Sequence, residues 1–397
     1  MKRISIILGS IILVIVGILA IIKQDQEQIL VEENTKNENT SLVFMLQEDD
    51  GTYSKSDSLP SNGYNFNATK SVCSNGATPT WEDNRLYLNN LTSNGTSCYL
   101  YFDIKPTAAN TILANSKVNE GTPDFSQVAT TDEGVWTAED DLGTSYYFRG
   151  AVENNYVKFA GYWWRIIRIN GDGSIRIIYD GTTAHANGES STDRQTGTSE
   201  YNSSSNASYY VGYTYQANAQ RPSTQNGGTG STIKGVLDNW YSNNLQTYDS
   251  QIVSAPGFCN DRNTASGSSW IASGTTFYYA AYERLWTNKT PTLQCSNNND
   301  LYTTKIGLIT ADEVSIAGGT TSSNSSYYLY TGQVYWTISP FANIDAYVIF
   351  VSTAGLLGDL GTTSRNYGVR PVINLSTDVT LTGTGTMNDP YVVEGAE

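Results

Sequence analysis

YWWRIIRINGDGSIRIIYDG, residues 162–181, is the stretch whose reading decides the fold. Two runs rich in Tyr, Trp and Ile flank Asn170-Gly171-Asp172-Gly173, a tetrapeptide that supplies the positive-φ positions of a tight hairpin. Asp172 also raises an EF-hand-like calcium loop, but no ligand spacing follows it and strands abut on both sides. The reading is therefore an antiparallel pair. Further strands follow the same logic in YYFRG (146–150), VYWTISPF (334–341), AYVIFVSTAGLL (346–357), YGVRPVINL (367–375) and DPYVV (389–393).

Helices are few. In STIKGVLDNWYSNNL (231–245), Ile233, Val236, Leu237, Trp240 and Tyr241 fall at helical spacing, with Ser231 or Thr232 as N-cap. KIGLITADEV (305–314) predicts a strand, then a short helix capped by Thr310, with Asp312 and Glu313 in its first turn. TFYYAAYERLW (276–286) fits strand or helix. The expected class is α+β, dominated by short antiparallel strands.

Upstream, Met1-Lys2-Arg3 precedes an apolar run from Ile4 to Ile22 that is just long enough to span a bilayer as a helix. With no small-x-small site at its end, residues 1–23 read as an uncleaved, single-pass signal anchor in the cell membrane. The alternative is a removed signal peptide and a secreted protein. Either way the remainder is extracellular, and residues 4–22 would have the lipid bilayer as partner. Residues 24–40 read as a polar stalk, 41–105 as a small β module, 106–145 as a linker and 146–397 as the main domain. Residues 184–231, rich in Ser, Asn, Thr, Gln and Gly, read as a long surface insertion.

Composition narrows the function classes. A net charge of -15 argues against a nucleic-acid partner. The 28 Tyr among many Ser and Asn suit an extracellular β-rich protein, and also a surface built like an antibody combining site. Four cysteines outside the cytoplasm suggest disulfides Cys73–Cys98 and Cys259–Cys295, each pair staying inside one domain. No CxxC occurs, and the single histidine, His185, lies in polar sequence, so no metal site or Ser-His-Asp triad is expected. No carboxylate pair stands out from the 38 acidic residues, and no cofactor motif is present.

The order of motifs carries a resemblance. VKFAGYWWRIIRINGDGSIRIIYDG, LDNWYSNNL, GFCNDR, KIGLITADEV, YWTISPF, YGVRPVINL and GTGTMNDPYVV together resemble an uncharacterised family of exported proteins from Gram-positive gut bacteria. The last sixty or so residues are also similar to the C-type-lectin-like fold of formylglycine-generating enzymes and of retroelement-diversified variable proteins. No cysteine follows Cys295, and neither Glu-Pro-Asn nor Trp-Asn-Asp occurs, so the resemblance implies the scaffold without the known catalytic or calcium residues. In the variable proteins the ligand surface lies in the hairpin that here runs from YWTISP to YGVRP. It implies ligand contacts from Tyr335, Trp336, Phe341, Asn343, Asp345, Tyr347 and Asn366.

Arg370 sits among Val369, Val372, Ile373 and Leu375, without an acid, thiol or histidine of a recognisable site. Such an arginine is expected buried along its stem, its fork met by backbone carbonyls or a carboxylate. Gly368 would let the backbone pass close to a neighbour. The expectation is a membrane-anchored surface protein, of the adhesion type, that binds a glycan or protein ligand. Alternatives are an enzyme acting on cell-wall or mucin polysaccharide, and a structural envelope component.

Overall fold

The computed structural model describes residues 4–6, 40–48, 50–60, 64–82, 85–92, 95–274, 276–342 and 346–396. It corrects the expected class: the chain is mostly β, with 37% strand and 15% helix. No helix among the described residues is long and apolar enough to cross a membrane. Ile4–Ile6 forms a strand antiparallel to Arg85–Asn89, with Ile4 opposite Leu88. β-Branched isoleucine favours that extended state as readily as a helix. The transmembrane helix expected over residues 1–23 is thus not supported, and 7–22 and the 24–39 stalk lie outside the described residues.

The chain divides into Met1–Pro106 and Thr107–Glu397. In the first unit Thr40–Gln47 runs parallel to Thr96–Ile104, which pairs antiparallel with Tyr64–Cys73. Cys73 stands directly opposite Cys98, and the two form a disulfide. Alternation along Thr96–Ile104 buries Cys98, Leu100 and Phe102 beside Leu86 and Leu88.

The second unit starts earlier than its sequence suggests. Residues 106–145 are no linker. They contain helix Ala108–Ala114, capped by Thr107, and strand Asp132–Asp140, which pairs with Gly143–Gly150. The main sheet runs in the order Ile252–Val253, Val372–Leu375, Ile175–Gly181, Tyr162–Ile169, Tyr156–Phe159, Tyr391–Val393, Leu381–Thr382. Its centre is the hairpin of residues 162–181, closed by Asn170 N–H donating to Ser174 O and Gly173 N–H to Asn170 O. Asp172 Oδ1 accepts from the Ser174 amide and hydroxyl, so the turn itself occupies it.

The two faces of this sheet differ. One carries Tyr162, Trp164 and Tyr179, which pack around Trp240 of helix Thr232–Asn244. Arginines line the other. Arg165 registers with Ile178 and Arg168 with Arg176, and a bulge between Ile166 and Arg168 brings residues 165 and 168 to the same side. All three arginines are buried. Helix Ala311–Ile316 brings Glu313 to Arg168 and Arg176, and begins with a capping box in which Thr310 and Glu313 exchange hydrogen bonds. Arg149 donates to Ser315 O and Ile316 O at its other end.

A second sheet holds Thr198–Glu200, Asn366–Gly368, Tyr335–Ala342, Tyr347–Val351 and Leu357–Thr362. The 184–231 segment is not a surface insertion. Arg194, Tyr201, Val211 and Tyr213 within it are fully buried. Cys259–Cys295 forms the second disulfide, as the pairing by domain predicts.

Candidate functional site

Strand Tyr335–Ala342 is buried along its whole length. Tyr335 and Trp336 therefore cannot be presented to a ligand, against expectation. The Tyr335 hydroxyl donates to Leu329 O at 3.0 Å and Trp336 Nε1–H to Ser199 O at 2.9 Å. The indole also packs against Tyr201 and Tyr367, fastening the 198–201 segment to the sheet. The physical cause is position: neighbouring strands flank this one, and its faces meet the core.

The remaining expected contacts do not converge. Phe341 is buried, Tyr347 half-buried and Asn366 exposed. Gly368 registers with Tyr335 in a parallel pair, so Asn366 lies on the order of 20 Å from Phe341. Asn343 and Asp345 lie outside the described residues. Gly368 is a close-approach position, where an added Cβ would sit 1.8 Å from Gln195 Oε1 and 2.7 Å from Val334 O. Arg370 is fully buried, donating to Tyr179 O at 3.1 and 3.0 Å, Leu329 O at 3.0 Å and Asp180 Oδ1 at 2.9 Å.

Phe341 forms the floor of an aromatic ladder. Tyr282 and Trp286 sit on the turns Ala280–Tyr282 and Glu283–Asn288, and Tyr278 precedes them at the same interval of four. Ring centroids are 4.1 Å apart for Tyr278–Tyr282 and 6.2 Å for Tyr282–Trp286, with interplanar angles of 20° and 24°. Phe341 meets the three edge-on at 5.6, 5.3 and 5.0 Å. The outermost ring, Tyr278, is 36% exposed, and Tyr282 and Trp286 are half-buried.

The support is stiff. Tyr279 N–H donates to Phe341 O at 3.0 Å, and Arg284 on the same turns binds Asp312 and Asp261 at 2.8 Å each. A second group, Tyr209, Tyr210 and Tyr215, packs at 4.6 to 6.2 Å. It is tied to the ladder's base, since the Tyr279 hydroxyl donates to Ser208 O at 3.0 Å. The signal for the ladder was present in TFYYAAYERLW as a 278, 282, 286 spacing.

Two polar places compete with it. A cleft of about 40 Å³ is lined by Asp140, Arg168, Arg176, Asp261, Arg284 and Glu313, among others. That is room for a few water molecules. Its carboxylates are engaged: Glu313 pairs with Arg176 at 2.6 Å and Arg168 at 3.2 Å, and Asp140 with Arg168 at 2.6 Å. Burial works to raise both carboxyls, yet the arginines and hydrogen-bond donors outweigh it and hold them below the usual range. A general acid needs the opposite shift.

The other is His185, which is buried and not part of a solvated loop. Its Nδ1 faces Glu189 Oε1 at 2.8 Å and its Nε2 faces Asp193 Oδ2 at 3.0 Å, with Thr183 Oγ1 at 3.5 Å. This superficially suggests a hydroxyl-imidazole-carboxylate relay. Asp193 instead occupies the side a nucleophile would need, and a carboxylate stands at each ring nitrogen. Despite partial burial, His185, Thr182 and Thr183 bring Asp193 down to about 2. Among the described residues no group of His, Cys, Asp and Glu could hold a metal ion. Compared with family models, curated proteins and solved structures, the chain matches none of them.

Proposed function

We propose that this is an exported ligand-binding protein that takes a glycan on the Tyr278–Tyr282–Trp286 ladder above Phe341. The observation that carries the reading is the ladder itself: partly exposed rings, parallel, and held on a braced turn. The C–H face of a pyranose packs on a ring face left open at the Tyr278 or Trp286 end of the stack, while its hydroxyls stay with water and the ring rims. Aromatic side chains give contact area at low entropic cost and dominate recognition energy. Two disulfides and the apolar stretch of residues 4–22 support export.

A glycan array probed with the protein and with its Tyr278→Ala and Trp286→Ala variants tests the reading. It expects glycan binding that each variant weakens about tenfold, equivalent to about 1.4 kcal/mol. Turnover of the glycan would support an enzyme instead. A protein ligand with no glycan binding, or no ligand at all, would likewise replace the proposal, the last with a structural envelope role.

A further inference from the structure

We propose that Arg165 Nη1 and the Tyr328 hydroxyl bind a small monovalent inorganic anion, of chloride or bromide size, inside the second unit. Arg165 is fully buried on the arginine face of the main sheet. Its Nε donates to Asn155 Oδ1 at 2.6 Å, and its Nη2 to Val152 O at 2.8 Å and Asn187 Oδ1 at 3.2 Å. All three acceptors are neutral. Tyr156 covers one face of the guanidinium at 3.8 Å and the Tyr328 ring stands 5.5 Å away. What is left is Nη1, which is buried and has no partner among the described residues.

The Tyr328 hydroxyl is likewise fully buried and without a partner among the described residues, on a ring whose centroid stands 5.5 Å from that guanidinium. Two buried donors on adjoining side chains thus lack an acceptor, and an unmet buried donor is costly. Charge points the same way. Arg165, Arg168, Arg176, Arg194 and Arg370 lie together, but the carboxylates in ion-pair reach are Asp140, Glu313 and Asp180. Asp180 commits its Oδ1 to Arg194 and Arg370, and no described carboxylate reaches Arg165. Burial, only partly offset by Tyr156 and Asp180, pulls the Arg165 guanidinium below its usual range. A resident anion would supply the missing negative charge.

Asp180 Oδ2 is also buried and unpaired among the described residues, so a water molecule bridging it to Arg165 is the rival occupant. Crystals grown in sodium bromide separate the two. The account expects an anomalous bromide peak within hydrogen-bond distance of Arg165 Nη1 and the Tyr328 oxygen. A non-anomalous water there, or no density, would overturn it. In solution, the melting temperature should rise with bromide concentration at constant ionic strength, balanced with gluconate. Tyr328→Phe, which removes one oxygen and keeps the ring, should at least halve that rise. An unchanged bromide response in Tyr328→Phe, or none in the natural protein, would also refute the site.

Discussion

Glu313→Gln tests whether the arginine face is held by charge. Glu313 is fully buried and is the only carboxylate within ion-pair distance of Arg176 among the described residues. Arg168 shares it but keeps Asp140 at 2.6 Å. Glutamine retains the shape and an oxygen for the Thr310 amide, so the helix cap survives while the charge is lost. Even with Glu313 present, burial brings the Arg176 guanidinium down to about 10. Removing one partner of a buried pair costs about 3–5 kcal/mol, because the other charge is left uncompensated. Taking about 3 kcal/mol, the melting temperature of a unit this size should fall by about 6 °C at pH 7.

The pH dependence supplies the sign. A carboxyl held below its usual value in the folded state contributes stability above the unfolded value, near 4.5. That contribution is lost as pH falls through the folded value. The gap between natural and Glu313→Gln proteins should therefore be widest at neutral pH and close in acid. Thermal unfolding followed by circular dichroism between pH 3 and 7 measures it. A variant melting within a degree of the natural protein at pH 7, or a gap that persists to pH 3, would refute the reasoning.

Replacing Arg370 with Ala leaves Asp180 short of one of its two guanidiniums and strips donors from Tyr179 O and Leu329 O, so denaturant unfolding should show a loss of about 3 kcal/mol. Intact stability would show that Arg370 is not a structural pin. Cys259→Ser with Cys295→Ser should cost about 3 kcal/mol by opening a loop of 36 residues, read from the urea midpoint. Trp336→Ala should destabilise by about 3–5 kcal/mol, since it opens a cavity and frees Ser199 O. By contrast, Tyr278→Ala should leave the melting temperature within about 2 °C while it weakens ligand binding.

Much of the fold is legible because its signals are local. The 162–181 hairpin is written in its Ile-rich runs and in Gly173, which takes φ +85°. The helix Thr232–Asn244 is written in the spacing of Ile233, Leu237 and Tyr241, which are its buried residues. Cysteine pairing within domains needed only chain proximity.

What failed is long-range. Asp132–Asp140 reads as part of a linker because its strand character comes from pairing with Gly143–Gly150. The 184–231 segment is polar on average, yet backbone carbonyls and Asp180 satisfy Arg194, and Ile338 O receives the Tyr201 hydroxyl, so both can be buried. The resemblance implied Tyr335 and Trp336 as contact residues, but the near-continuous apolar run YWTISPFA marks a strand buried on both faces. The apolar N-terminal run showed hydrophobicity without showing helix, and Ile4–Ile6 is extended. The ladder spacing at 278, 282 and 286 was visible, but only the structure chose helix over strand and set Phe341 beneath it.

The most direct measurement is calorimetric titration of the folded protein with a glycan identified on the array, alongside Tyr278→Ala/Trp286→Ala. The account predicts a measurable Kd for the natural protein. It also predicts a loss of more than tenfold in the double variant, beyond a single change of about 1.4 kcal/mol, with the protein still folded. Equal affinity in both proteins would contradict the account.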